Sequence, residues 1–174
     1  MKPQMHQNTF TTLGHPLYEF NAAVQRLQEE HVLLDEALTE LYAMAKAIGL
    51  ADDSVDWARV LHVLRDKTIV FQQDLDAHAK WEAETMFPMA AWYFGDEANV
   101  LELYSEMEQE HVIADQFIAA FVTRVERIVL PVASLEAKEL ASYLMQACAV
   151  LKHHFRQEED MIEALADRSN QYGF

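Results

Sequence analysis

The chain has 174 residues, with 13 Lys and Arg against 29 Asp and Glu, which gives a formal net charge of −16. This length fits one domain, and a hydrophobic content of 51% excludes an intrinsically disordered protein. The acidic balance argues against a nucleic acid or an anionic membrane surface as partner, because both are bound through basic patches.

Glycine and proline, with four residues each, are too few for the frequent turns of a β-sandwich or barrel, so we predict long helices. Breaks fall at 49–54, at Gly95 and at Pro131. They separate four predicted helices joined by short loops: 17–48, 55–90, 97–129 and 135–166. The fold predicted is an all-α, antiparallel up-down-up-down four-helix bundle. Its boundaries are a polar leader over 1–16, the bundle over 17–166 and a fraying tail over 167–174.

Apolar residues recur in alternating steps of three and four along each helix, the pattern of packed antiparallel helices. In the second helix the inward-facing series is Trp57, Leu61, Leu64, Thr68, Phe71, Leu75, His78, Glu82, Thr85 and Met89. Pro88 predicts a kink or an early stop near the end of this helix. Each of the four series is apolar except at one position, where every helix presents a histidine.

The four inward-facing histidines are predicted to lie in one layer: His31, His78, His111 and His154. In an antiparallel hairpin, residues equidistant from the turn lie at the same height, and the midpoints between successive histidines fall at the three breaks. Glu82 and Glu158 each follow a histidine by four residues, one helical turn along the same face. Six polar side chains are therefore predicted to converge in an apolar core.

Two carboxylates in such a core require a counter-charge, because an unpartnered buried carboxylate is costly. We predict a pair of metal ions, each bound by two of the histidines and bridged by Glu82 and Glu158, with open positions for a small ligand. Imidazole and carboxylate ligands without thiolate suit iron, manganese or zinc, and the spacing does not choose among them. The alternative is a buried polar network without metal, in which histidines alone would neutralise both carboxylates.

The chain also contains an internal repeat. EHVLLD at 30–35 matches EHVIAD at 110–115, and the His-x3-Glu spacing at 78–82 recurs at 154–158. Through the segments EEHVLLD, HAKWEAETMFP, QEHVIAD and HHFRQEED, the sequence resembles the hemerythrin-like (HHE cation-binding) family over essentially all of the predicted bundle. It looks most similar to the branch with one histidine on the first and third helices, which includes di-iron proteins of iron–sulfur cluster repair under nitric oxide and oxidative stress.

The resemblance implies two iron ions, with the four histidines as terminal ligands and the two glutamates as bridges. It also implies a centre that reacts with or senses oxygen, peroxide or nitric oxide, in stress response or iron handling. Asp115 stands four residues after His111, where oxygen-carrying hemerythrins have a second histidine, which argues against reversible oxygen carriage. The short leader lacks the N-terminal cysteine segment of the repair proteins, which argues against the repair role itself.

Several polar residues near the six are assigned by their offset from the inward-facing series. Asp35 and Asp115 each follow a histidine by four residues, one step off the series. We expect them either to orient an imidazole through its second nitrogen or to lie in solvent, and direct ligation is the less favoured alternative. His153 and His62 are expected outside the site, and Glu159 is expected on the solvated face.

Three classes of function remain open: a redox or gas-reactive di-iron protein, a di-iron oxidoreductase with turnover, and a metal-stabilised structural or sensory bundle. Whether the protein is an enzyme is left open with them, and a small diatomic molecule or peroxide is the expected ligand. The single cysteine, Cys148, permits no internal disulfide, and no apolar run is long enough for a membrane span or a secretory signal. We therefore expect a cytoplasmic protein without a membrane partner, and the acidic surface does not preclude a homodimer.

Overall fold

The structure, a computed structural model, describes residues 16–95 and 99–171. In chain order the helices are α1 (Pro16–Ala47), α2 (Trp57–Trp81), a π-helical turn (Glu82–Met86), α3 (Phe87–Phe94), α4 (Val100–Glu126) and α5 (Ser134–Gln171). The π-helical turn joins α2 to α3 without a break, so the chain forms four rods, and we call 57–94 the second rod. Residues 1–15 of the predicted leader and 172–174 of the predicted tail lie outside the described residues. The predicted start of the tail, Asp167, is still helical.

The four rods form an antiparallel up-down-up-down bundle, which confirms the predicted fold. α1 packs against α2 and α5, and α4 packs against the second rod and α5. Successive rods are thus neighbours, and the first rod also contacts the last. The arrangement buries the one apolar stripe that the spacing of three and four places on each helix. Across the described helices, none is both long and apolar enough to cross a lipid bilayer.

The second rod departs from the predicted register after Glu82. The predicted early stop at Pro88 is wrong, because the rod continues to Phe94. Just before the proline the helix widens into the π-helical turn, where the Phe87 N–H donates to the carbonyl of Glu82, five residues back. The wider turn shifts the inward face by one residue, so that Thr85 is exposed and Met86 is buried in its place.

A polar layer divides the core into two apolar clusters. The larger cluster lies toward the α1–α2 and α4–α5 turns and includes Leu61, Phe121 and Leu144. The smaller cluster lies toward the opposite end and includes Phe20 and Met86. Each fully buried leucine or phenylalanine contributes about 1.5–3 kcal/mol to folding. The hydrophobic contribution to folding therefore comes from the two ends of the bundle, and the polar layer between them does not contribute to it.

The α1–α2 turn is held against the start of α5. Gly49 follows α1 with φ +80°, and a Cβ there would lie 2.8 Å from the Cβ of Lys138. Only glycine fits this close approach at a positive φ. A few residues later, the backbone N–H of Ser134 donates a 2.7 Å hydrogen bond to Oδ1 of Asp53. This contact joins the turn of the first hairpin to the last helix of the second.

Candidate metal centre

The four histidines lie where the two apolar clusters meet. Each is at most 6% exposed. The ring centroids of His31 and His78 are 4.8 Å apart, and those of His111 and His154 are 5.7 Å apart. On α1, the neighbours one turn before and after His31 belong to different clusters, since Leu27 is in the smaller one and Leu34 in the larger one. The structure thus brings the rings together at one height, as the midpoints between them predict.

Four of the six predicted side chains form the first group. They are His31, His78, Glu82 and Glu158, all buried, and each offers one ligand atom within 4.8 Å of the others. Nε2 of His78 lies 2.7 Å from Oε1 of Glu82, and Nε2 of His31 lies 3.1 Å from Oε2 of Glu158. The two Nε2 atoms of the histidines are 3.0 Å apart. Three rods, α1, the second rod and α5, therefore direct nitrogen and oxygen atoms at one small volume.

The other two histidines form the second group with a glutamate that the sequence did not single out. Ligand atoms of Glu108, His111 and His154 lie within 4.8 Å of one another. Nε2 of His154 is 2.8 Å from Oε1 of Glu158. Glu158 therefore directs one carboxylate oxygen at each group, which is the arrangement expected of a bridge. Glu82 was predicted as the second bridge, but within the part of the chain that the structure describes its ion-pair contacts lie in the first group only.

The buried side chains of the first group shift one another's pKa values. Burial raises the pKa of the Glu82 carboxyl well above its usual value, and the charge of Glu158 raises it further. Burial also opposes the charge of Glu158, but contacts with His154, His31 and Glu82 outweigh it and hold the pKa of Glu158 below its usual range. For His31, burial alone would lower the pKa, yet contacts with Glu158 and Glu82 raise it to about 9. The group thus attracts positive charge to its centre.

The unpaired atoms of this layer fit a cation. Both carboxylate oxygens of Glu158 and Oε1 of Glu82 are buried without a hydrogen-bond partner among the described residues, although imidazole nitrogens lie within 3.1 Å of each. These contacts are short, but they lack the geometry of hydrogen bonds. Buried polar atoms left unpaired in this way call for a further partner. Nitrogen and carboxylate oxygen donors without thiolate match the preferences of iron, manganese or zinc.

Acidic side chains also contact the outer nitrogens of the first group. Oε1 of Glu159 lies 3.2 Å from Nδ1 of His31, so Glu159, half exposed as predicted, also makes a contact that the prediction missed. Oε2 of Glu30 lies 3.6 Å from Nδ1 of His78. Glu30 is in turn paired with Arg26 at 3.0 Å, and the Arg26 guanidinium lies 4.3 Å from the centroid of a Trp81 ring. The Glu159 contact is within hydrogen-bond distance and is of the kind that orients a metal-binding imidazole, whereas Nδ1 of His78 has no hydrogen-bond partner among the described residues.

The remaining candidate residues differ in their distance from the layer of histidines. Asp35 is exposed and has no hydrogen bond or ion pair with a described residue, which matches the solvated alternative. Asp115 lies closer, with Oδ1 buried and 3.8 Å from Nε2 of His111. His153 is 61% exposed and pairs with Glu110 at 3.0 Å. His62 makes a 2.6 Å hydrogen bond from its Nδ1 to the Ala58 carbonyl, away from the layer.

Glu108 is the residue that sequence reasoning missed. It precedes His111 by three residues, which places the two side chains on one helix face. Oε1 of Glu108 is buried without a hydrogen-bond partner and lies 3.8 Å from Nδ1 of His111. The spacing does carry a signal for Glu108, because a residue three positions before His111 lies on the same helix face, but the His-x3-Glu pattern covers only the position four residues after a histidine.

Comparison with known proteins agrees with this chemistry. The family model of the hemerythrin HHE cation-binding domain matches residues 22–166, which covers all four rods and both groups of side chains. Searches of curated proteins and of solved structures returned no match. Since the family match covers most of the chain, the protein belongs to the hemerythrin HHE cation-binding domain family.

Proposed function

We propose that the cation site of this protein is a dinuclear iron centre. The proposed ligands are His31, His78, Glu82, His111, His154 and Glu158. The observation that carries the proposal is the position of Glu158, which is fully buried and directs one oxygen at an imidazole of each group. A carboxylate shared in this way holds two cations close together in a helical bundle.

The donor types favour iron, with manganese and zinc as alternatives. Both groups consist of imidazole and carboxylate, and the single thiol lies elsewhere. Cys148 is buried in the larger apolar cluster, with its Sγ 3.9 Å from the Leu38 carbonyl, and burial raises the pKa of the thiol to about 12. A protonated, buried thiol is neither a metal ligand nor a nucleophile.

We infer that this centre reacts with or senses oxygen, peroxide or nitric oxide, in stress response or iron handling. Bound iron would supply the redox chemistry. The chain's own residues would bind and orient it, and the two apolar clusters would keep bulk water away. A cavity of about 390 Å³ between α1 and α5 lies against His31 and Phe155, with Lys152 at its wall. A small molecule in this surface groove would lie one side chain away from the centre, beside His31 and Glu159.

Two alternatives stay open beside this reading. The first is a di-iron oxidoreductase with turnover, and the second is a bundle in which the metal serves structure or signalling. The similarity to the iron–sulfur cluster repair branch and the cytoplasmic location also remain predictions.

Metal content is the first test. The protein should be purified without added metal, and its ions should be identified and counted by elemental analysis. We expect about two ions of iron per chain. His31→Ala and Glu82→Ala should each weaken loading by about tenfold or more, because each removes a donor from the first group. His62→Ala is the matched control, since that ring bonds to the backbone of its own helix. Equal loading in all four proteins would reject the ligand assignment.

Reactivity is the second test. The loaded protein should be mixed anaerobically with oxygen, peroxide or nitric oxide in a stopped-flow spectrometer. Repeated turnover supports an oxidoreductase, and a stable spectral change supports sensing or storage. An optical spectrum that changes with none of the three reagents would reject both reactive readings and leave the structural one.

A further inference from the structure

The two groups of the layer differ in the carboxylate that each has in addition to the shared Glu158, which we call its private carboxylate. The first group has Glu82 beside His31 and His78, and it shares Glu158 with the second. Among the described ion-pair contacts, those of Glu82 do not reach His111 or His154. A second ion held only by two imidazoles and the shared carboxylate would have one protein donor fewer than the first. Asp115, another acidic side chain near this pair, lies 3.8 Å from Nε2 of His111, but it groups with that ring and the exposed Asp76 and not with His154.

Glu108 stands where the missing donor is needed. Its ligand atom lies within 4.8 Å of those of His111 and His154. Oε1 of Glu108 is buried and has no hydrogen-bond partner, although the side chain as a whole is 32% exposed. Oε1 of Glu158 is likewise fully buried, lacks a hydrogen-bond partner and lies 2.8 Å from Nε2 of His154. Two carboxylates from different helices thus flank the same pair of imidazoles with unpaired oxygens.

The internal repeat shows that this glutamate is not part of the general motif. When EHVLLD is aligned with EHVIAD, the counterpart of Glu108 is Gln28, which is exposed. The first group therefore has no carboxylate three residues before its histidine, and it has Glu82 instead. Each group thus has one carboxylate besides Glu158, but it comes from different positions: Glu82 in the first group and Glu108 in the second.

Two other roles for Glu108 are weaker. It does not fix the His111 ring through a hydrogen bond, because the 3.8 Å separation from Nδ1 is too long for one. It also lies one turn after Tyr104, whose ring stacks on Phe87 with centroids 4.0 Å apart. A role in holding the Tyr104 hydroxyl would make no use of the imidazoles, and it is separable by experiment.

We propose that Glu108 is a ligand of the second metal ion. The inference rests on the proposed dinuclear centre and deepens it. Each ion would then have two imidazoles, one private carboxylate and the shared Glu158. The private carboxylate is Glu82 for the ion at His31 and His78, and Glu108 for the ion at His111 and His154. The two positions depend on different residues and can be emptied separately.

The test is a metal titration of four metal-free proteins with ferrous iron under anaerobic conditions, followed by elemental analysis after gel filtration. Glu108→Gln keeps the shape of the side chain and removes the charge. Glu110→Gln is the matched control, because Glu110 lies on the same helix, is similarly half-buried and pairs with the exposed His153. Tyr104→Phe tests the alternative role. We expect two tight ions in the wild type, Glu110→Gln and Tyr104→Phe, but one tight ion and a second weakened about tenfold or more in Glu108→Gln.

The outcomes separate this inference from the function on which it rests. A wild type that binds fewer than two ions overturns the dinuclear centre and Glu108 with it. Two ions at wild-type affinity in Glu108→Gln overturn the role of Glu108 alone, as does an equal loss in Glu110→Gln or Tyr104→Phe. If Glu108→Gln does not fold by circular dichroism, Glu108→Asp replaces it, because its shorter carboxylate should weaken the second ion without removing the charge.

Discussion

The two helical hairpins carry the same Glu-His segment but surround it differently. In the first group all four ligand candidates are buried, whereas in the second the carboxylates beside the imidazoles are partly exposed, with Glu108 at 32% and Asp115 at 40%. Nδ1 of His31 contacts Glu159 at 3.2 Å, whereas Nδ1 of its counterpart in the repeat, His111, is 3.8 Å from Glu108, too far for a hydrogen bond. The repeated residues place the rings, and the residues outside the repeat decide what surrounds each pair.

This difference teaches that a sequence repeat does not guarantee two equal sites. Aligning His78 with His154 makes Ala83 the counterpart of Glu159, so the outer contact exists on one side only. Glu82 is deeply buried beside one pair of imidazoles, whereas Glu108 reaches the other pair from the bundle surface. Substitutions that affect both halves, one half or neither should therefore give distinct results.

The largest effect is expected from Glu158→Gln. Its carboxylate has an oxygen on each group, so replacing it by a neutral amide should weaken both ions and leave little metal bound after gel filtration. Glu163→Gln, on an exposed face of the same helix, should retain full loading. Metal counts by elemental analysis provide the measurement. One ion retained at wild-type affinity would mean that Glu158 serves a single group.

A smaller effect, confined to one half, is expected from Glu159→Gln. The substitution weakens the contact that orients the His31 ring, and loss of such a partner typically lowers metal affinity about 10- to 100-fold. Competition with a chelator should show one ion released more readily and the other unchanged. Asp160→Asn is the control on the neighbouring position. Equal release of both ions would show that Glu159 does not distinguish the halves.

The smallest effect is expected where the hairpins touch away from the metal layer. Asp53 accepts hydrogen bonds from Ser134, which lower the pKa of the Asp53 carboxyl below its ordinary value of 3.8. A lowered native pKa stabilises the fold above the unfolded pKa, and this contribution is lost as the pH falls through the native value. Asp53→Ala should therefore melt at a slightly lower temperature than the wild type at pH 7.

The pH series checks the sign of that contribution. The melting difference between the wild type and Asp53→Ala should shrink steadily once the pH falls below about 4. Asp74→Ala, at an exposed position without a hydrogen bond or ion pair to a described residue, should match the wild type throughout. A difference that grows in acid would contradict the assigned role of Asp53.

How far the sequence could predict the site is clear from individual residues. His31 and His111 were predictable, because helical periodicity and the symmetry of a hairpin are local rules that fix both the face and the height of a residue. Thr85 belongs to the predicted inward-facing series but is exposed, because the π-helical turn adds a residue to one turn and rotates the face that follows it. The widened turn lies just before Pro88 and places Met86 and Phe87 in the smaller cluster, a change of register that a regular 3.6-residue period does not predict.

The sequence by itself determined the four rods, the inward face of most of their length and the layer of four imidazoles, because these follow from the 3.6-residue period and the positions of the breaks. The bridging position of Glu158 was also predicted, but only the tertiary structure decided that the contacts of Glu82 lie in the first group, that Glu108 approaches the second and that Glu159 approaches the first. The physical reason is that a contact between helices depends on the rotation of each rod about its axis and on the reach of each side chain. The spacing of residues along one helix predicts neither the rotation of the rod nor the reach of its side chains.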